Sequence, residues 1–263
     1  AWFSAPYTDY DKFTGPGGLE KTQYNARIFQ PLGDNGDFIS VALHWNENRN
    51  NFYRRISVDQ FNAGVIQGDN FDTCVLDTPT AGVADNDLAG STNDPLATAG
   101  CNNYYNLAIN PSNTGNIRAQ SRFTLAEGVV LTIDPTFQYT LANGGGSTVI
   151  NENDARLQGS FYNPLIPAAG GGVDLNGDGD ILDRVRLYSP SNTNTRRYSV
   201  TTSLIWDVAE NHRLRAAYTL DYGRHRQTGQ YSTLAANGDP RDVFSAKDGH
   251  LTPIRTRDGR VFH

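Results

Sequence analysis

Between residues 197 and 222 the chain alternates apolar and polar side chains with little interruption. Tyr198, Val200, Thr202, Leu204 and Trp206 share one parity, and Arg197, Ser199, Thr201 and Ser203 share the other. After 207–212 the alternation resumes, with Leu214, Ala216, Tyr218, Leu220 and Tyr222 set against Arg213, Arg215, Ala217, Thr219 and Asp221. Successive side chains of a strand point to opposite faces. The period of two therefore predicts an antiparallel hairpin, apolar on one face and hydrophilic on the other. Its strands fall near 196–206 and 213–224.

Two more hairpins are legible. Arg118, Gln120, Arg122 and Thr124 alternate with Ala119, Ser121, Phe123 and Leu125, and Glu127-Gly128 makes a turn. Val129, Leu131, Ile133, Phe137, Tyr139 and Leu141 form an apolar row on the return. This places strands near 117–127 and 129–141, with Pro135 the one awkward residue for an interior strand. The third hairpin has strands near 22–30 and 37–46 around a turn at 31–36, with Ile39, Val41, Leu43 and Trp45 on one face. Helical periodicity is scarce. Ser57-Val-Asp-Gln60 has a capping-box pattern and predicts a short helix to Ala63.

Connections within the hairpins are short, whereas those at 47–116, 142–195 and 225–263 are long and polar. Compact soluble domains seldom carry structureless connections of that size. Transmembrane β-barrels, by contrast, combine short periplasmic turns with long extracellular loops, and strands of about ten residues suit a tilted crossing of the bilayer. Trp45, Tyr139, Tyr198, Trp206 and Tyr222 sit near strand ends on the apolar side, as lipid-interface aromatics do. Arg118, Arg122, Asp134, Arg213, Arg215 and Asp221, on the hydrophilic side, read as lumen-facing. The expected fold is all-β: an antiparallel transmembrane β-barrel segment of about six strands in three hairpins, with long extracellular loops. A soluble β-sandwich alternates in the same way and is the competing architecture. It would pack the face of Tyr198, Leu204, Tyr218 and Leu220 against a second sheet; a barrel leaves that face without a protein partner.

Composition modifies this picture in a few places. The 263 residues are 38% hydrophobic and 19% charged, with a mean hydropathy of −0.52. A lipid-facing row averaged with a wet row and polar loops gives such a value, and no apolar run is long enough for a transmembrane helix. The net charge of −6 argues against a generic nucleic-acid binder, which needs a basic face to displace counterions from phosphates. Lysine occurs only at 12, 21 and 247, so 19 of the 22 basic residues are arginine, whose planar fork suits fixed hydrogen-bonded networks. Six strands are fewer than the roughly eight of the smallest membrane barrels, and open edges leave backbone groups unpaired in hydrocarbon. The chain holds no Met and begins in mid-pattern. It is therefore expected to be an internal sector of a larger barrel.

The run from Asp174-Leu-Asn-Gly-Asp-Gly-Asp180 to Tyr198, leading into Val200-Thr-Thr-Ser-Leu204, resembles barrel segments of TonB-dependent outer-membrane receptors. So do Asn51-Phe-Tyr-Arg-Arg-Ile56 after a strand, and Arg122-Phe-Thr-Leu-Ala-Glu-Gly-Val-Val-Leu131 across a tight turn. As a pattern the resemblance covers about 20–231, and these stretches are its specific part. Large transporters of this kind have about 22 strands around a plug. The resemblance implies a protein of the bacterial outer membrane, seated in outer-membrane lipid. Such a receptor captures a scarce nutrient, a metal chelate such as a siderophore or a carbohydrate, as an extracellular small-molecule ligand at its outer loops. A TonB energising complex then acts through the plug domain to open a path. No stretch of the sequence resembles the plug, the TonB-contacting box or the final barrel strand.

Two groups of residues carry further chemistry. Asp174, Asn176, Asp178 and Asp180, with Gly179 at the sharp turn, match the first half of a calcium loop, in which oxygen ligands at alternate positions surround a hard cation. The twelfth position, where a bidentate Glu is wanted, is Val185, and Asp183 would stand in for it. The same residues also make a turn-rich hydrophilic loop without any metal, and both readings stand. No cofactor is required, and Ca2+ in an extracellular loop is the ion the pattern would take. Cys74 and Cys101 lie in one long linker, and an even count in an exported setting favours a disulfide between them. The histidines at 44, 212, 225, 250 and 263 are scattered, and HExxH, GxSxG and GxxxxGK are all missing. No enzymatic activity is expected. The alternative function is a secreted calcium-dependent β-rich adhesion or carbohydrate-binding module.

Overall fold

The computed structural model describes residues 1–53, 56–63, 71–87, 101–161, 171–245 and 253–263. Arg54, Arg55 and His250 of the sequence reading lie outside the described residues. The strands are β1 (Trp2–Ser4), β2 (Tyr7–Asp11), β3 (Gly18–Leu32), β4 (Asp37–Asn50), β5 (Ser112–Ala126), β6 (Val129–Gly144), β7 (Ser147–Asn151), β8 (Arg184–Tyr188), β9 (Ser191–Ala209), β10 (His212–Thr228) and β11 (Ser232–Thr233). A short helix α1 spans Val58–Asn62, and Ser57 O accepts the first intrahelical bond from Phe61 N at 3.0 Å. Among the described residues the fold is all-β and antiparallel, in two sheets. The large sheet has the order β1/β2, β3, β4, β5, β6, β9, β10, and the small one β11, β8, β7. The large sheet does not close: β1/β2 and β10 are its two edges.

β1 and β2 are one edge strand in two pieces. Trp2 opposes Arg27 and Tyr7 opposes Thr22, which is a single unbroken register along β3. Pro6 sits at the interruption; it has no N–H to give, but its carbonyl accepts from Gln23 N at 3.0 Å. An edge is where a strand tolerates proline. The other strands run longer than the alternation marks, β9 starting at Ser191 and β10 ending at Thr228. Their outer ends (Asn192, Thr193, Asn194, Thr195) are polar on both faces, so a period of two leaves no trace there.

Register turns the six long strands into cross-strand rows. Tyr24, Trp45, Gly115, Tyr139, Arg196 and Arg224 are paired in succession from β3 to β10. The next row on the same face is Ala26, Leu43, Ile117, Phe137, Tyr198 and Tyr222. Towards the short turns the face continues through Val41, Val200, Leu220 and Ile133 to Leu131, Leu204, Trp206 and Leu214. All the apolar parities therefore meet on one continuous face. From Tyr139 to Val129 it spans about 33 Å along β6 at ~3.3 Å per residue. The other face carries Arg27, Arg118, Thr136, Ser199 and Asp221 as one row, with Arg122, Asp134, Arg213 and Arg215 nearer the turns.

Pro135 is accommodated by side chains. The β5–β6 ladder pairs 112–118 and 123–126 and leaves 119–122 out, opposite the proline. Ser121 bridges the gap: its N–H donates to Asp134 Oδ1 at 3.0 Å, its hydroxyl lies 2.6 Å from Ile133 O, and Ile133 N donates to its oxygen at 3.1 Å. Asp134 thus replaces a backbone acceptor.

The buried apolar side chains lie elsewhere. Among the described residues, every buried hydrophobic side chain apart from Leu141 belongs to the connections or the small sheet. Expected as polar loops, the outer connections fold instead into a cap at the end of the large sheet opposite its short turns. β8 is its centre. Val185 and Leu187 face one cluster with Ile150, Leu157, Leu175, Ile254 and Phe262, and Tyr188 enters a second with Cys74, Cys101, Tyr104, Leu107, Ile109 and Leu234. Asparagines join cap to sheet: Asn51 Nδ2 donates to Tyr105 O at 2.8 Å and Asn143 Nδ2 to Val243 O at 2.5 Å, while Asn192 Nδ2 on β9 holds Asn143 Oδ1 on β6 at 2.5 Å within the sheet. No helix among the described residues is long and apolar enough to cross a membrane.

Gly115 marks a close approach on the apolar face. Trp45 and Tyr139 stack across it, ring centroids 5.9 Å apart and 12° from parallel. A Cβ at Gly115 would stand 2.5 Å from Trp45 Cε3 and 3.0 Å from His44 O. Gly115→Val is expected to push the rings apart and cost about 1–3 kcal/mol. Chemical denaturation followed by near-ultraviolet circular dichroism measures both effects, and an unchanged midpoint with an unchanged aromatic signal refutes the packing described.

Candidate metal centre in the cap

The loop at 174–183 is held by its own carboxylates. Asp174 accepts from Gly177 N at 2.6 Å and Gly179 N at 3.0 Å, Asn176 Oδ1 from Asp178 N at 3.2 Å, and Asp178 Oδ1 from Asp180 N at 3.1 Å. Asp and Asn side chains close turns on neighbouring N–H groups in this way, and Gly177 and Gly179, at φ 84° and 99°, take the left-handed bends. Asp180 also reaches across the cap, accepting from Leu182 N at 2.8 Å and Gly82 N at 2.6 Å.

Tertiary folding regroups the predicted ligands. Asp178 and Asp183 come together with Asp85, and Asp180 and Asp183 with Glu152, the oxygens of each group lying within 4.8 Å of one another. Asp174 belongs to neither group. Asn176 supports the site instead, donating to Asp183 Oδ2 at 2.6 Å. Asp85 and Glu152 escaped sequence reasoning. They lie far from the loop along the chain, and no local spacing points to them.

Burial gives this cluster its electrostatic character. Glu152 is 0% exposed and Asp183 1%. Glu152 accepts from Leu175 N at 2.5 Å and from Asp183 N at 3.2 Å, while Asp183 accepts from Asp85 N at 2.8 Å. Neither forms an ion pair with a basic side chain among the described residues. Desolvation pushes the Glu152 carboxyl above its ordinary value against these hydrogen bonds, and the neighbouring Asp183 charge adds to the rise. Asp178 Oδ2 is buried without any hydrogen-bond partner. Buried carboxylates need a proton or a cation to offset a desolvation cost of several kcal/mol each. An all-oxygen set of this kind matches a hard divalent ion. A cavity of about 380 Å³ is lined in part by Asp85, Asn176 and Asp183.

The cap is fastened by Cys74 and Cys101, which are joined in a disulfide across 27 residues. In the chain-entropy model, closing such a loop contributes about 3.5 kcal/mol. Gly238, at φ 83°, lies so close that a Cβ there would meet Cys74 Sγ at 2.4 Å. Next to it Asp239 accepts from Tyr104 Oη at 2.6 Å and Asn106 Nδ2 at 2.7 Å.

The residues predicted to face a lumen lie on the hydrophilic face, and several pair between strands. Arg122 meets Asp37 at 2.8 Å, Arg213 meets Asp207 at 2.5 Å, and Arg197 clasps Asp221. Arg118 and Arg215 form no ion pair among the described residues. The predicted interface aromatics occupy the apolar face. Phe137 and Tyr198 are 4.9 Å apart by centroid, Tyr222 stands opposite Tyr198, and Trp206 lies by the short turns between Val129 and Leu214. In comparisons with known proteins, no family model, no curated protein and no solved structure matches the chain.

Burial, followed by the bond to Asp239, pushes the Tyr104 phenol from 10.0 up to about 12. The unfolded chain therefore ionises this phenol first as pH rises. Stability that is complete below pH 10 is lost progressively up to about pH 12. Tyr104→Phe is expected to cost about 1 kcal/mol near neutrality and to lack that alkaline decline. Denaturant midpoints of the two proteins against pH test this, and parallel alkaline limbs refute it.

Proposed function

We propose that the chain is a wall sector of a bacterial outer-membrane β-barrel receptor of the TonB-dependent kind, with the cap on its extracellular side. The observation that carries this reading is the apolar face. Its residues stay open, Tyr218 being 59% exposed, Leu220 52% and Leu204 41%, and among the described residues no second sheet lies against them. At the tilt of about 40° usual in such barrels, the 33 Å band along β6 stands about 25 Å tall, the height of an outer-membrane apolar belt. Short turns at one end and a folded cap at the other support the same orientation, as do the receptor-like stretches around 122–131 and 174–204. The open edges are where neighbouring barrel strands would pair. In this role the sector contributes wall and outer surface to energised uptake of a scarce nutrient, with a plug domain and the TonB complex supplying the gating. The ligand would be a small molecule met at the cap. A secreted calcium-dependent adhesion or carbohydrate-binding module is the competing function, and it requires a protein partner on the apolar face.

The three tryptophans discriminate between these readings. Trp45 and Trp206 lie on the apolar face, while Trp2, opposite Arg27, lies on the hydrophilic one. In single-tryptophan variants reconstituted in lipid, doxyl-labelled acyl chains are expected to quench Trp45 and Trp206 and to spare Trp2. A monomer soluble without detergent, with all three positions unquenched, overturns the membrane reading.

For the cap we propose a calcium ion held by Asp85, Asp178 and Asp183, with Glu152 and Asp180 behind them. Calorimetric titration is expected to show saturable heat with calcium and an affinity at least about tenfold lower for Asp178→Asn. No heat at millimolar calcium refutes the site.

A further inference from the structure

We propose that Arg196 and Arg224 form a docking site for a phosphate-bearing lipid headgroup at the cap-side margin of the apolar face. This rests on the outer-membrane reading above and names a partner for that surface. Across β3 to β6 the marginal row is Tyr24, Trp45, Gly115 and Tyr139. At β9 and β10 the same row changes to two arginines, paired directly with each other. Both are exposed. Like charges directly opposite in an antiparallel pair have Cβ atoms only about 5 Å apart and repel.

Nothing in the described protein relieves that repulsion. Arg196 and Arg224 form no ion pair among the described residues. The nearest acids on these two strands, Asp207 and Asp221, belong to the opposite face and are taken by Arg213 and Arg197. Guanidinium forks on two directly paired residues are within reach of the oxygens of one phosphate, to which each can donate in a forked pair of bonds.

The surroundings favour an amphiphile over a free anion. One row inward lie Tyr198 and Tyr222, directly opposite each other, and below them Val200 and Leu220. Acyl chains of a molecule whose phosphate sits on the arginines would run down this apolar surface. A soluble phosphate would meet only exposed, water-screened charges, which contribute little. The position also agrees with the aromatic margin, where hydrocarbon gives way to headgroups.

Vesicle flotation of the full 263-residue chain tests the proposal, with phosphatidylcholine vesicles compared with vesicles in which about one lipid in ten is phosphatidic acid. The chain is expected to prefer the phosphatidic acid vesicles. Arg196→Gln and Arg224→Gln are each expected to weaken that preference about fivefold, and together about 25-fold. Arg215→Gln, on the hydrophilic face, is expected to leave it unchanged, and Arg196→Lys should keep most of it. Far-ultraviolet circular dichroism confirms that each variant is folded. Equal insertion into both vesicles, indifferent to Arg196→Gln and Arg224→Gln, overturns the headgroup site while leaving the membrane reading intact. Saturable binding of inorganic phosphate at Arg196 and Arg224 without vesicles, together with equal flotation on both vesicle types, assigns the arginines to a free anion and also overturns it. Failure to associate with either vesicle, with Trp45 and Trp206 unquenched, overturns the membrane reading and the headgroup site together.

Discussion

A sheet satisfies its backbone internally, but it cannot hide the side chains on its faces without something laid against them. In this protein the large sheet has two faces, and among the described residues no layer covers the apolar one. Six long strands bring Ile117, Phe137, Tyr198, Leu204, Trp206, Leu214 and Leu220 onto a single surface, and the only buried hydrophobic residue they contribute is Leu141, at the junction with the cap. An apolar patch of that extent on a monomer marks a contact with lipid or protein. The remaining structural features follow from how the chain lives with this constraint: aromatic rings at the margins, polar side chains and ion pairs on the reverse face, and compact folding confined to one end.

The reverse face is stabilised strand by strand. Arg122 with Asp37, Arg197 with Asp221 and Arg213 with Asp207 each tie neighbouring strands, and Asp134 with Ser121 mends the ladder where Pro135 breaks it. Charges held in this way keep one side of the sheet wettable without a hydrophobic core. Exposed ion pairs contribute little stability individually, so their structural importance here lies more in orientation than in strength.

The cap solves a different problem. Its two hydrophobic clusters are small, and it adds a disulfide and a set of buried carboxylates that hold loop N–H groups in place. Asp180 and Asp183 accept from Gly82 and Asp85 and so connect the segment enclosed by the disulfide to the acidic loop, while Glu152 anchors the same loop from the end of β7. This arrangement leaves Asp178 Oδ2 buried without a partner. A cation would supply the missing interaction and would bind two distant segments of the chain together.

The sequence by itself determined the six long strands of the large sheet, their facing and the hairpin turns, because alternation and turn chemistry are local properties read over ten or so residues. Tyr198 to Trp206 and Leu214 to Tyr222 declare their face without reference to any other part of the chain. Local pattern was silent on the edge strand split by Pro6 and on the polar outer ends of β9 and β10, where both faces are hydrophilic. Only the tertiary structure decided that the long connections fold into a cap, because β7, β8 and β11 are stabilised by pairing across gaps of tens of residues. It likewise decided the membership of the acidic site, placing Glu152 and Asp85 with Asp178, Asp180 and Asp183 and leaving Asp174 to the loop backbone. A carboxylate's role depends on which distant groups share its burial, and that proximity is a property of the folded chain.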